Sequence, residues 1–138
     1  ITMKRLMILP LLLVVLVSFS ANAAQHERKE WKWWQNKEIA EKLNITEAQQ
    51  TQLSDIATKY ETAYTETKTT YTEKRTAFME AKTNKATSSA DVIKAFDASS
   101  DAKYKMKRVK LDRFLEMRDV LTQEQLTELS DMKKSHKK

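Results

Sequence analysis

Apolar and polar positions alternate along this chain with the period of helices, not of strands. From Thr46 to Lys82 there is neither Gly nor Pro, and Leu53, Ile56, Tyr60, Ala63 with Tyr64, Thr67, Tyr71, Lys74 and Phe78 recur at three- and four-residue steps. That spacing draws one stripe along a helix. A second stripe runs through Ile93, Phe96, Ser100, Tyr104, Lys107, Leu111, Phe114 and Leu121, widened by Met106, Val109 and Met117. It predicts another long helix, from about Ala90 to Val120. A helix over Thr46 to Lys82 is roughly 55 Å long at about 1.5 Å per residue. A rod of that length must lie along something equally long.

The ends of these helices are written in capping residues. Thr46-Glu47-Ala48-Gln49 and Thr122-Gln123-Glu124-Gln125 each place Gln three residues after Thr. Such a capping box lets the Thr hydroxyl accept a first-turn N–H while the Gln side chain returns to the Thr amide. The second box opens a short last helix whose apolar face is Leu126, Leu129 and Met132. Another short helix, Glu38 to Leu43, stops at Asn44, a residue that tolerates the left-handed conformation. Asn84 to Ser89 is the evident interior turn, followed by a fresh cap at Ser88. A short link between two long helices predicts an antiparallel hairpin. The fold expected is all-α: four helices, with the long hairpin flanked by two short helices. Because a hairpin two helices thick leaves part of each stripe uncovered, a homodimer along the long helices is expected.

Composition changes the picture in three ways. Gly is absent, Cys is absent and Pro10 is the only proline among 138 residues. Without Gly, phosphate-cradling loops and tight primed hairpin turns are hard to build, and without Cys there is no disulfide and no thiolate nucleophile. The first 23 residues have the form of an export signal. Lys4 and Arg5 precede an apolar run from Leu6 to Phe19, and Ala21-Asn22-Ala23 is a small-x-small cleavage pattern. The apolar run of about 14 residues is short beside the roughly 20 that span a bilayer. Residues 24–138 then form a single helical domain outside the cytoplasm, most simply in a bacterial periplasm. Removing Lys4 and Arg5 from 25 basic residues leaves 23 against 19 acidic ones, a formal charge of +4. In that compartment the partners of a basic chain are proteins or anionic surfaces, not nucleic acid.

Chemistry-bearing residues are few. Trp31, Trp33 and Trp34 fall within four positions, and consecutive helical positions sweep too wide an arc for all three to face one core. They are candidates for a contact surface or for packing at the end of the hairpin. The long helix is rich in Thr (Thr58, Thr62, Thr65, Thr67, Thr69, Thr70, Thr72 and Thr76), which predicts a thin, pliable middle because Thr is a weak helix former. Between Lys103 and Arg118 lie seven basic residues against Asp112 and Glu116. This is either a solvated face or a surface that draws acidic clients. Lys103, Lys107 and Lys110 share one side of that helix. The histidines, His26 and His136, sit near the ends, and His26 with Glu30 is a poor metal site. No cofactor is expected, nor an enzyme: nothing supplies an activated nucleophile, an oxyanion loop or a phosphate loop.

The two capping boxes also carry a resemblance. Leu43-Asn44-Ile45-Thr46-Glu47-Ala48-Gln49 and Leu121-Thr122-Gln123-Glu124-Gln125 resemble the paired LTxxQ motifs of the Spy/CpxP family of periplasmic proteins, with Ile45 where the motif has Leu. The similarity covers essentially the whole chain after the signal. It implies a four-helix chain that dimerises into a curved antiparallel cradle. It also implies ATP-independent chaperone activity on unfolded periplasmic proteins, or inhibition of an envelope-stress sensor kinase through its periplasmic domain. Related metal sensors make a heavy-metal-responsive role a further, weaker expectation. For client or partner contact the residues singled out are Trp31, Trp33, Trp34, Tyr60, Tyr64, Tyr71, Lys103, Lys107 and Lys110.

Overall fold

A computed structural model describes residues 32–135. After a 3-10 turn at Trp33–Gln35 come four helices: α1 Lys37–Lys42, α2 Glu47–Thr83, α3 Ser89–Val120 and α4 Gln123–Ser135. No strand occurs among the described residues. The long helices, 37 and 32 residues, pack against each other as an antiparallel hairpin. The short helices sit at its open end.

Each boundary has a chemical cause. Asn36 caps α1 by accepting from the Ile39 amide at 3.2 Å. Asn44 ends that helix with φ of +50°, the left-handed conformation expected of it in a chain without Gly. Thr46 is extended and caps α2. Thr83 is its last residue, and Asn84 turns the chain: its side chain accepts from Ala86 and its carbonyl from Thr87. Ser88 then caps α3 by accepting from the Asp91 amide at 3.1 Å. Leu121 leaves the helical conformation, and Thr122 opens α4.

The core is small and lies at the open end, where Trp34, Leu53, Ala57 and Met117 form one buried cluster. Trp33, Ile45, Ile56, Val120 and Leu121 pack against it. On α2 the stripe read from the sequence faces α3: Leu53 is buried, and Ile56, Tyr60, Tyr64, Thr67, Tyr71 and Phe78 are half-buried, while Lys74 is exposed.

On α3 the expected stripe splits: Met106, Val109 and Met117, which widened it, turn inward, and its bulky line from Ile93 to Phe114 is largely exposed. Ile93, Phe96, Tyr104, Leu111 and Phe114 are 60, 52, 64, 49 and 40% exposed. The buried line is made of Ser99, Ala102 and Met117, continued by half-buried Val92, Ala95, Met106, Val109 and Arg113. Both lines have helical spacing, so periodicity could not choose between them. Small side chains let two long helix backbones approach closely along their length. The line that carries Ala95, Ser99 and Ala102 therefore goes inside the hairpin, and the bulky line is left largely on the outer edge, with Phe96 still reaching Phe78 of α2.

Candidate functional site

The two motifs are one structure. The Thr46 hydroxyl accepts from the Gln49 amide at 3.1 Å, and Gln49 Oε1 accepts from the Thr46 amide at 3.0 Å. Thr122 and Gln125 repeat this at 3.2 and 2.9 Å. The two glutamines, 76 residues apart, then bond each other. Gln49 Nε2 donates to Gln125 Oε1 at 2.9 Å, and Gln125 Nε2 donates to Gln49 Oε1 at 3.1 Å. Their remaining N–H groups reach the backbone just ahead of the opposite box. Gln49 Nε2 donates to the Val120 carbonyl at 3.0 Å, and Gln125 Nε2 to the Leu43 and Asn44 carbonyls at 3.2 and 3.3 Å. Each carboxamide offers two N–H donors and one oxygen with two lone pairs, and here all are engaged. Glutamate in place of either would remove the donor and set a carboxylate oxygen against another acceptor. This clasp ties both short-helix junctions to one point and closes the end of the hairpin.

The tryptophans divide. Trp34 is 1% exposed, and its Nε1–H donates to Ser54 Oγ at 3.0 Å. Trp33 is half-buried and packs edge-on against it, with ring centroids 5.6 Å apart. The reading of Trp34 as a contact surface is thus corrected. The segment turns as a 3-10 helix and drives that ring under α2, where burying a large aromatic outweighs any surface role. Trp31 lies outside the described residues, as do His26, Glu30 and the signal segment. Among the described residues no cluster of His, Cys, Asp or Glu is arranged to hold a metal ion. No helix among them is long and apolar enough to cross a membrane.

Charge and aromatic rings meet along one side of the hairpin. Lys110 Nζ lies 5.1 Å from the centre of the Tyr64 ring, and Lys82 Nζ lies 6.0 Å from that of Phe78. Phe78 in turn meets Phe96 edge-on at 5.4 Å. At about 100° per residue, Lys68, Arg75 and Lys82 of α2 and Lys103, Lys107 and Lys110 of α3 fall on this one side of the hairpin. A 310 Å³ groove lined by Arg75, Thr76, Met79, Glu80 and Thr83 lies near its tip. Tyr71 is half-buried in the same stripe; Lys103 and Lys107 are exposed.

The opposite side holds a charge cluster that the sequence did not announce. Glu116 Oε1 accepts from Lys59 Nζ and from the Tyr60 hydroxyl, each at 2.6 Å. These bonds, the one from Lys59 first, hold the Glu116 carboxyl below its ordinary range. They raise Lys59 and Tyr60, chiefly through the same bonds to Glu116. Tyr60 is therefore turned toward Glu116, away from the side that holds Lys110 and Tyr64. No local pattern could have shown this, because the partners are 57 and 56 residues apart. Desolvation pulls half-buried Arg113 down to about 10, which still leaves it charged at neutral pH.

No curated protein and no solved structure matches the chain. The model of the LTXXQ motif family matches residues 31–133, nearly the whole described structure and both halves of the clasp. The chain belongs to the LTXXQ motif family, the Spy/CpxP type of protein.

Proposed function

We propose that this protein is an ATP-independent periplasmic chaperone that binds unfolded proteins and limits their aggregation during envelope stress. The family is periplasmic, and its known members are chaperones and accessory proteins, not enzymes. The observation that carries the reading is the basic, aromatic side of the hairpin, where Lys110 lies over Tyr64 and Lys82 over Phe78 beside Lys103 and Lys107. Unfolded chains offer acidic groups and apolar side chains together. A wet surface that mixes cations with ring faces holds both loosely, each cation–ring contact at an exposed site being worth about 0.5–1 kcal/mol. Loose holding lets a client fold while bound, and no nucleotide is needed to release it. The working unit in this reading is a homodimer built along the long helices.

The test is aggregation of a chemically denatured model protein diluted into buffer, with and without this chain, ATP omitted. Suppression at near-stoichiometric ratios is the expected result. No suppression, together with tight binding to the periplasmic domain of a sensor kinase, would instead make the protein a signalling inhibitor.

A further inference from the structure

The hairpin treats its cations differently on its two sides. On and around the side away from the rings, Lys59 pairs with Glu116 at 2.6 Å, Lys105 with Asp101 at 2.8 Å and Arg108 with Asp112 at 2.8 Å. On the aromatic side, Arg75, Lys82, Lys103, Lys107 and Lys110 make no ion pair with any described residue. Lys82 and Lys110 lie over ring faces, which attract a cation without neutralising it. At about 100° per residue, Phe96, Lys103, Lys107, Lys110 and Phe114 fall within an arc of about 60° around α3, and no acidic residue of that helix shares the arc. Phe96 and Phe114 are 52 and 40% exposed, although Phe96 also touches Phe78. A row of three cations with a large, part-exposed ring at each end is the makeup of a helix that lies in the plane of a lipid surface.

We infer that this side of the hairpin docks lengthwise on an anionic bilayer surface, an activity beyond the holding of clients. The lysine heads reach the lipid phosphates, while their stems and the rings of Phe96 and Phe114 rest at the boundary between headgroups and acyl chains. Arg75 and Lys82 bring α2 onto the same surface, so both long helices meet the lipid. Asp101, Asp112 and Glu116 are kept on the other side, away from the anionic headgroups. A flexible acidic chain also needs cations, but it sets no demand that they line one straight side of a rod. From Phe96 to Phe114 that line runs about 27 Å. A plane of fixed charge does set that demand. No described helix is long and apolar enough to cross a membrane, so the contact stays at the surface. Clients use the same cations in the proposed function, so lipid and client exclude each other there.

Residues 24–138 hold the whole described fold, core and clasp included, and omit the apolar run Leu6 to Phe19, which would bind lipid by itself. That chain is sedimented with vesicles of phosphatidylcholine alone and with vesicles of equal parts phosphatidylcholine and phosphatidylglycerol. It should bind the anionic vesicles only, and less as salt rises. Lys103→Gln/Lys107→Gln should weaken that binding about thirtyfold, at about fivefold for each cation near an anionic surface. Lys105→Gln/Arg108→Gln removes the same charge from the same helix, on its other faces, and should leave binding close to the parent's. Circular dichroism confirms that both variants stay helical. Equal losses in the two variants would mean attraction to net charge alone and overturn the inference. Equal binding to neutral vesicles would overturn the role of the cations. No binding to anionic vesicles, with capture of a denatured protein still weakened by Lys103→Gln/Lys107→Gln, would leave this side to polypeptides and overturn the inference too. No vesicle measurement involves a client, so chaperone activity stands or falls separately in the aggregation assay.

Discussion

At the scale of single residues the structure separates what holds the chain from what the chain presents. Thr46→Ala and Thr122→Ala each remove one N-cap and should cost about 1 kcal/mol, read from urea midpoints. Gln49→Ala and Gln125→Ala should each cost more, about 2 kcal/mol, because partners in the clasp are left unsatisfied. The double Gln variant should fall short of the sum, since the two side chains bond each other. Additive losses would mean that the clasp does not act as a unit. Trp34→Ala should destabilise by about 3–5 kcal/mol as a cavity in the core. A variant of Trp34 that lost client retention at unchanged stability would contradict its placement. Glu116 gives a pH signature. A carboxyl held below its unfolded pKa adds stability above that pKa, and the contribution is lost as pH falls through the folded value. Glu116→Gln should therefore unfold with a shallower acid limb than the parent in melts from pH 7 to pH 3. Superimposable limbs would show that the Lys59–Glu116–Tyr60 contact is absent in solution.

At the scale of elements, α2 is the weak rod. The hydroxyls of Thr51, Thr58, Thr65, Thr67, Thr70 and Thr72 bond back to carbonyls of the preceding turn, a contact that helices tolerate at a small cost. Thr58, Thr65 and Thr72 lie on the solvent side of the helix and touch no other element's buried cluster. Replacing all three with Ala should raise stability by about 1.5 kcal/mol, from helix propensity alone. An unchanged or lowered urea midpoint would mean that these threonines make contacts beyond their own helix. The bulky line on α3 shows the complementary point. Its spacing was read correctly as one helical face, but which neighbour the face meets depends on the approach of two backbones.

For the whole molecule, the basic side of the hairpin is the surface whose loss should change activity without changing the fold. Replacing Lys103, Lys107 and Lys110 with Gln should slow client capture and flatten its dependence on salt. Attraction between exposed charges is screened over about 8–10 Å at ordinary ionic strength. Capture rates equal to the parent's at low and high salt would assign these lysines to a solvated face. The variant must keep the parent's helicity and mass for the comparison to count.

The sequence alone determined the elements, their order and their ends, because each is set by local chemistry. Helical spacing without Gly or Pro made the rods, Asn44 and Asn84 stopped or turned the chain, and Thr46, Ser88 and Thr122 started the next helix. The paired boxes were legible for the same reason, and with them the family. Tertiary structure decided which of two equally periodic lines on α3 went inside, and it sent Trp34 into the core. It also joined Gln49 to Gln125 and Lys59 to Glu116. Those outcomes depend on the distance and angle between helices far apart in the chain. A pattern of three- and four-residue steps names a face of a helix, but only the packed neighbour turns that face inward or leaves it to water.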